Sequence, residues 1–317
     1  MRDNDFYQIF ITGTGEYLET LLSQGLGGVI FFSKDILSEK SFKSLVKNIK
    51  QKACGIPFLS IDQVGGRVER TENIYPKRLS AKFAYEKGED FLISQTQEFA
   101  KELIDFGLNL NFAPVADVNT NPNNPIIGER AFANNSFDVI NGVKLVSETY
   151  LTAGVIPCVK HYPGHGDASQ DSHNTLPKIN LTLKDMEAFH LPPFKYAVDN
   201  HYPMVMIAHL DCVCFGEPGV PTSLSKNAIS YLRENLGYNG VVITDDMNMG
   251  GVNYLPPIEA AKRALKAGCN ILLYRESNKE TFDLINALKA EMKNDKELEN
   301  AIITSIERVH QLKNQYL

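Results

Sequence analysis

Eight short apolar runs recur along this chain of 317 residues and constrain its fold more than any other feature. Each run holds five or six residues and is bounded by polar residues, glycine or proline. Such runs are typical of strands that are buried on both faces of a sheet. The predicted strands cover residues 7–11, 28–32, 57–61, 109–113, 155–160, 204–208, 240–245 and 270–274.

Stretches of helical period lie between the predicted strands. Val139, Val143 and Val146 fall on one face of a helix, for example. Eight strands that alternate with helices predict the α/β class, as a single (β/α)₈ TIM barrel of parallel strands. We expect residues 1–317 to form one TIM-barrel catalytic domain, since barrels of this length run as one unit. The last predicted helix has one apolar face made of Leu298, Ile302, Ile306, Val309 and Leu312.

An open, doubly wound sheet is the main alternative to the barrel. The segment after the first predicted strand, residues 12–16, lacks the third glycine of a phosphate-binding loop, which argues against that alternative. In a barrel, chemistry gathers at the C-terminal ends of several different strands. Suggestive polar residues do follow or end four of the predicted strands here: Asp62, Lys160 with His161, His209 and Asp245.

Composition limits the partners and the compartment. The net charge is −6 and no segment is strongly basic, so we expect neither nucleic acid nor a membrane as a partner. The N-terminal segment has no apolar run of signal-peptide length, and no apolar window is long enough to span a bilayer. Five scattered cysteines favour reduced thiols. These features predict a cytoplasmic protein, and we expect it to be a monomer.

Three segments contain candidate catalytic residues. The apolar run that ends at Asp245 is followed by a second acid, Asp246. These acids form either a solvated strand end or a site at which one carboxylate points into a pocket at the barrel mouth. A carboxylate in such a pocket can attack an anomeric carbon. Asp62 follows another apolar strand and precedes two glycines. The glycines indicate either a tight backbone path close to a ligand or a simple turn after the strand. Arg130 lies in a loop and is uninformative by itself.

The third segment is a loop with three histidines and two aspartates between His161 and His173. It can be a polar surface loop, a zinc site or a site of proton transfer. Zinc is the weaker interpretation, because a cluster within one Gly/Pro-rich loop gives no fixed ligand geometry. In the proton-transfer interpretation, Asp171 fixes the tautomer of His173 and raises its basicity. We therefore expect no metal and no cofactor.

Taken together, these segments resemble the β-N-acetylhexosaminidases of glycoside hydrolase family 3, the NagZ group. They occur in the family's order and cover nearly the whole chain. The Lys-His-aromatic-Pro-Gly segment with the later Asp-x-His is highly specific. The matching segments are IDQVGGRV at 61–68, GERAF at 128–132, KHYPGHGD at 160–167, DSH at 171–173, AH at 208–209 and ITDDMNM at 243–249.

The resemblance implies a role for each matching residue. Asp245 matches the family's nucleophile, His173 its histidine acid/base, and Asp171 the partner of that histidine. His209 lies where the family has a pocket histidine. The residues that match those holding the sugar hydroxyls are Asp62, Arg130, Lys160 and His161. The family fold is a (β/α)₈ barrel, which agrees with the strand count.

The activity implied by the resemblance is that of a retaining exo-β-N-acetylglucosaminidase. The implied substrate is N-acetylglucosamine linked to anhydro-muramyl peptide, in peptidoglycan recycling. The alternatives are a phosphorylase that uses the same residues, a sugar-binding barrel without activity, and a metal-dependent hydrolase. A nucleophile argues against pure binding. Two positions depart from the family pattern, Val64 for a frequent glutamate and Glu129 for a frequent aspartate, and the chain has no tryptophan for sugar stacking.

Overall fold

Eight parallel strands form a closed barrel in the computed structural model, which describes residues 4–170 and 175–317. Each strand is hydrogen-bonded to the strands before and after it in the chain, and the last pairs with the first. The predicted (β/α)₈ fold is therefore confirmed. The barrel strands are β1 (Phe10–Thr12), β2 (Gly28–Phe31), β3 (Phe58–Ile61), β4 (Leu110–Asn111), β5 (Ile156–Tyr162), β6 (Met204–Ile207), β7 (Val241–Asp246) and β8 (Ile271–Tyr274).

Both faces of the barrel wall are buried, which explains why the strands read as continuous apolar runs. Side chains such as Phe58, Phe112 and Met206 fill the interior, and Leu312 of the last helix packs against the same cluster. The other face of the wall packs against the surrounding helices in a larger cluster that includes Val29 and Val205. The interior is thus a packed core, and space for a ligand is left only beyond the strand ends.

Helices connect successive strands and cover the barrel. The α-helices are α1 (Leu18–Gln24), α2 (Glu39–Lys52), α3 (Ala81–Glu86), α4 (Glu89–Phe106), α5 (Ser136–Ala153), α6 (Leu183–Asp185), α7 (Pro192–Asp199), α8 (Lys226–Ser230), α9 (Pro257–Ala267), α10 (Lys279–Met292) and α11 (Lys296–Tyr316). Short π-helical turns extend two of them, at Met186–His190 and Tyr231–Asn235. Short 3₁₀ turns lie at Asp5–Ile9, Ser33–Asp35, Gly128–Arg130, Val213–Phe215 and Thr222–Leu224. No helix of the described residues is long and apolar enough to cross a membrane.

The helix boundaries follow from capping residues, and the buried faces follow from the apolar period. Ser38, Asn135, Asn278 and Asp295 each accept a backbone N–H at the start of a helix. All five residues predicted for the apolar face of the last helix are buried in α11. The three valines predicted for one face are likewise buried in α5.

The first predicted strand is wrong over most of its length. Residues Asp5–Ile9 form a 3₁₀ turn, and β1 begins only at Phe10. The residues from Phe6 to Ile9 are nevertheless buried, and apolar content alone does not separate a short buried helical turn from a strand. The other seven predicted strands agree with the observed ones to within two residues at each end.

Two very short strands outside the barrel join the loops that follow β5 and β6. Lys178–Ile179 pairs in parallel with Asp211–Cys212. Asp211 N–H also donates to the Pro177 carbonyl at 2.9 Å. This pairing holds the far end of the β5 loop, which contains the histidine-rich segment, against the β6 loop.

Candidate active site

A cavity of about 360 Å³ opens at the C-terminal end of the barrel. Its floor is apolar, and charged side chains from several strand ends form its walls. Five of the eight predicted site residues line it: Asp62, Arg130, Lys160, His161 and Asp245. The structure thus brings together residues that are as much as 183 positions apart in the chain. Asp171 and His173 lie outside the described residues, and His209 does not line the cavity.

A buried ion pair joins β5 to the end of β3. The Lys160 ammonium, on a side chain that is only 1% exposed, donates to the Asp62 carboxylate. The other oxygen of Asp62 lies 3.7 Å from Arg70 Nη2. Burial by itself raises the pKa of Asp62, but the positive charges of Lys160, Arg70 and Arg130 outweigh it and hold the pKa well below its ordinary value. The Asp62 carboxylate is therefore ionised and accepts hydrogen bonds.

The loop after β3 turns sharply so that Arg67 and Arg70 reach the cavity. Gly65 and Gly66 adopt φ values of 88° and 61°. A Cβ on Gly65 would lie 2.2 Å from the Leu79 carbonyl oxygen, so only glycine fits there. The two glycines therefore allow a tight turn against other parts of the chain, and a close approach to a ligand stays a prediction.

A buried network beneath this loop holds it in place. The Arg78 guanidinium pairs with Glu69 at 2.8 Å and also with Glu102, and it lies 4.6 Å from the centre of the Phe99 ring. Gln63 donates to Glu69 and accepts the Arg70 N–H at 2.7 Å. The network thus fixes the backbone from which Arg70 extends toward Asp62.

A second carboxylate, that of Asp117, lies behind His161. Its Oδ2 is 2.7 Å from His161 Nδ1, and its Oδ1 accepts the His165 N–H at 2.6 Å. On the cavity side, His161 Nε2 lies 3.5 Å from Arg130 Nη2. The His165 side chain also lines the cavity, and burial lowers its pKa to about 4, so its imidazole is neutral.

Asp245 is the last residue but one of β7, and its side chain lines the cavity. Its Oδ1 accepts the N–H of Asp246 at 2.8 Å. Burial raises the pKa of Asp245, but attraction to His161, His209 and Lys160 and the bond from Asp246 lower it overall. An ionised carboxylate that accepts few hydrogen bonds is suited to nucleophilic attack.

The neighbouring carboxyl of Asp246 behaves in the opposite way. Burial, with a contribution from the charge of Asp245, raises its pKa to about 6. Its Oδ1 accepts the N–H groups of Asn248 and Arg275 at 3.0 and 3.2 Å. Two adjacent acids thus have pKa values that their surroundings shift in opposite directions, and Asp245 is ionised at a lower pH than Asp246.

His209 is fully buried behind the end of β7. Its Nδ1 lies 2.6 Å from Ser223 Oγ, and its Nε2 lies 3.0 Å from the Asp246 carbonyl oxygen. Burial lowers the pKa of His209, so the ring is neutral; Nε2–H donates to the carbonyl and the serine hydroxyl donates to Nδ1. His209 therefore supports the backbone beside Asp245 instead of facing the cavity.

Several cavity residues were not predicted from the sequence. Arg275 directly follows β8, so the rule that barrel chemistry lies at strand ends would have indicated it. Phe32 directly follows β2, so the same rule applies to it, whereas Arg70 becomes recognisable only through the fold, which places it with Arg275 on the Phe32 ring. Asp117, which lies behind His161 and does not line the cavity, was also not predicted, although it is an acid within an otherwise apolar stretch. Within the described ranges, no group of three or more His, Cys, Asp or Glu side chains is placed to hold a metal ion.

A family model described as the Glycosyl hydrolase family 3 N terminal domain matches residues 5–312, which is nearly the whole chain. The chain belongs to glycosyl hydrolase family 3. The resemblance inferred from the motifs is thereby confirmed.

Relatives within this family carry hexosaminidase names. Beta-hexosaminidase A of Pseudoalteromonas piscicida is 32% identical over 281 residues, which is 81% of this chain and 47% of the relative. Beta-hexosaminidase of Tolumonas auensis is 31% identical over 81% of this chain and 78% of its own length. The chain therefore spans about half of the first relative and most of the second.

A solved family 3 structure shares the fold closely. The β-N-acetylglucosaminidase of Paenibacillus sp. str. FPU-7 superposes with a TM-score of 0.92 at 29% identity. The match covers 100% of this chain and 62% of that chain.

The raised pKa of Asp246 predicts a pH-dependent effect of Asp246→Asn on stability. The pKa of Asp246 is about 6 in the folded state and about 4 in the unfolded state. The carboxyl therefore stabilises the fold when it is protonated in both states, below about pH 4, and this contribution to the free energy of unfolding is lost as the pH rises through about 6. Asparagine resembles the protonated acid, so the variant should gain about 2 kcal/mol relative to wild type between about pH 4 and pH 7. Urea unfolding at the two pH values measures the gain.

Asp245→Asn is the matched control, because the pKa of Asp245 is lowered. Its stability relative to wild type should fall, not rise, over the same pH interval. The same pH-independent difference for both variants would contradict the assignment of opposite environments to the two acids.

Proposed function

We propose that this chain is a retaining exo-β-N-acetylglucosaminidase with Asp245 as its covalent nucleophile. The observation that carries the proposal is the ionised Asp245 at the end of β7, in a cavity where Asp62, Arg130, Lys160 and His161 converge. The hexosaminidase names of the family relatives support the same activity.

The cavity suits the terminal residue of a glycan. Its base is closed by apolar barrel residues such as Phe112, Met206 and Leu273, so a chain cannot pass through it. Its volume of about 360 Å³ is at the small end of the range for ligand pockets. Charged hydrogen bonds from Lys160 and Arg130, and to Asp62, would fix the sugar hydroxyls, and such bonds contribute more than neutral ones.

The proposed reaction has two steps. The Asp245 carboxylate attacks the anomeric carbon, the bond to the leaving oxygen breaks, and that oxygen takes a proton from a general acid. Water then attacks the anomeric carbon of the glycosyl-enzyme and gives up a proton to the same group, while the bond to Asp245 breaks and the carboxylate is released. Each step inverts the anomeric centre, so the overall configuration is retained. We assign that group to His173, with Asp171 as its partner, on the family resemblance. The reaction needs no metal and no cofactor.

Asp245→Ala tests the nucleophile. Hydrolysis of a β-N-acetylglucosaminide should fall by several orders of magnitude, because a covalent nucleophile is lost, while the fold is retained. Steady-state kinetics with wild type and variant measure the loss, and circular dichroism checks the fold. A variant that keeps more than about a tenth of the wild-type kcat would refute the assignment.

The same assay separates the alternative functions. With phosphate added, wild type should still release free N-acetylglucosamine, whereas a phosphorylase would release the sugar phosphate. A sugar-binding barrel would release neither.

His173→Ala tests the acid/base. A sugar leaving group needs protonation but a nitrophenolate does not, so the variant should lose far more activity on a disaccharide than in glycosyl-enzyme formation from a nitrophenyl glycoside. The second step should then limit turnover, and azide, which needs no base, should restore it and give a glycosyl azide of retained configuration. Asp171→Ala should act in the same direction but more mildly.

Pre-steady-state bursts and azide rescue measure these effects. Equal losses on both leaving groups, with no burst and no rescue, would mean that His173 only positions its loop.

We further propose that the leaving sugar carries a negative charge, as the carboxylate of an anhydro-muramyl group does. Five cationic side chains and three acidic ones line the cavity among the described residues, although the chain as a whole is negative. N-acetylglucosamine is neutral and does not use this excess. Arg275 lies where a leaving sugar could reach it, since its side chain is 55% exposed, and it pairs with Asp246 at 3.6 Å.

Arg275 and Arg70 lie on the same aromatic ring. Their guanidinium carbons are 5.8 and 5.6 Å from the centre of the Phe32 ring, which also lines the cavity. A ring with two flanking arginines can contact both the apolar face of a sugar and an anionic group on it. This arrangement supports peptidoglycan recycling as the role. We propose that the protein carries out this role as a cytoplasmic monomer, in keeping with its five free cysteines.

Arg275→Gln tests the charge of the leaving sugar. The variant should lose about tenfold in kcat/KM on N-acetylglucosaminyl-anhydro-muramic acid, because one charged hydrogen bond is removed. Hydrolysis of the neutral dimer of N-acetylglucosamine serves as the control and should change little. Equal losses on the two substrates would contradict an anionic leaving sugar without touching the nucleophile assignment.

A further inference from the structure

The Asp117 carboxylate, four residues beyond the predicted end of the fourth strand, is fully buried and makes contacts on both of its oxygens. Oδ1 accepts the N–H of His165 at 2.6 Å and lies 3.4 Å from the N–H of His161. Oδ2 lies 2.7 Å from Nδ1 of the His161 ring. The carboxylate therefore holds both the backbone and the side chain of the segment that enters the cavity.

These contacts determine which nitrogen of His161 carries the proton. Burial raises the pKa of Asp117, but the neighbouring His161 and His165 outweigh it and lower the pKa to about 2, so the group is a pure acceptor near neutral pH. A pure acceptor at 2.7 Å requires a proton on His161 Nδ1. Nε2 then presents its lone pair to the cavity when the ring is neutral.

The neighbour of Nε2 agrees with this tautomer. Arg130 Nη2, which can only donate, lies 3.5 Å away, at the long limit for a hydrogen bond. A hydroxyl that lies on the cavity side of both groups can donate to Nε2 and accept from Arg130 at the same time. The pair thus has the polarity to bind one sugar hydroxyl in a defined orientation.

We infer that Asp117 is a positioning residue that fixes the Nδ1–H tautomer of His161, so that Nε2 accepts a hydrogen bond from a hydroxyl of the bound sugar. The part of this inference that concerns the sugar rests on the proposed function. The tautomer itself follows from the contacts of Asp117 alone.

Asp117→Asn is the informative substitution, because the backbone determines how the new amide is oriented. The His165 N–H requires an acceptor on the Oδ1 side, so the amide oxygen remains there and the NH₂ group faces His161 Nδ1. His161 must then carry its proton on Nε2, where it faces the N–H groups of Arg130. The substitution reverses the tautomer and changes a hydrogen-bond acceptor into a donor with almost no change in shape.

Two-bond ¹H–¹⁵N correlation spectra of histidine-labelled protein detect the tautomer directly. Wild type should show His161 with a protonated Nδ1 and an unprotonated Nε2, and Asp117→Asn should show the reverse. His161→Gln assigns the signals. Asp211→Asn, which changes another buried aspartate that is distant in sequence, should leave the His161 signals unchanged. A doubly protonated His161 in wild type, or the same tautomer in Asp117→Asn, would overturn the inference.

A double-mutant cycle tests whether Asp117 acts through His161. Asp117→Asn alone should lower kcat/KM on a β-N-acetylglucosaminide by about 10- to 100-fold, the range for one misdirected hydrogen bond. In the His161→Gln background the same change should cost less than about threefold. Independent, multiplicative losses would show that Asp117 has a general structural role. A wild-type protein with no activity would refute the proposed function and leave the spectra to decide the tautomer.

Discussion

The ion pair between Lys160 and Asp62 is the interaction on which the site depends most. The Lys160 side chain is only 1% exposed, so loss of Asp62 would leave a buried ammonium without the carboxylate to which it donates, and breaking a buried pair in this way costs about 3–5 kcal/mol. The pair also links two strand ends that are not neighbours in the barrel, with β4 between them. Arg70 and Arg130 add to the same charge cluster. The positions of the groups that would hold the sugar follow from this buried pair.

Four aspartates near the cavity show how local surroundings give one side-chain type different properties. Asp62 and Asp117 are committed to fixed cationic or N–H partners and are ionised acceptors. Asp245 is also ionised but makes few direct bonds, which leaves it available for reaction. Asp246 has a raised pKa and is occupied by two backbone N–H groups. Position in the barrel, not residue type, separates these functions.

The sequence predicted most of the fold because the information is local. A strand buried on both faces has an apolar run of fixed length, and a helix has its own period, so seven strands and the apolar faces of two helices were found. The first strand was misplaced because a buried 3₁₀ turn at Asp5–Ile9 is equally apolar. Local pattern contains no information that separates these two conformations.

The site was predicted less completely, because its geometry depends on contacts between distant parts of the chain. Residues at strand ends, such as Lys160 and Asp245, were identified because the barrel places every strand end on one face. The tautomer-setting contact between Asp117 and His161 spans 44 positions and has no periodic signature. His209 illustrates the opposite case: it follows a strand as the motif requires, yet its side chain turns into the wall. The direction of a side chain is set by packing, which the spacing of residues does not reveal.

The long connection after β5 is held at both of its ends. Near its start, Asn121 donates to the Ala168 carbonyl at 3.1 Å, and near its end Lys178–Ile179 pairs with Asp211–Cys212. Under the proposed function, the groups that would hold the sugar lie outside this interval, whereas the residues matched to proton transfer lie within it. In that proposal, recognition of the sugar and proton transfer belong to separate segments of the chain. A change in the length or composition of this interval would then alter how the proposed glycosyl-enzyme is resolved and leave the groups that would hold the sugar in place.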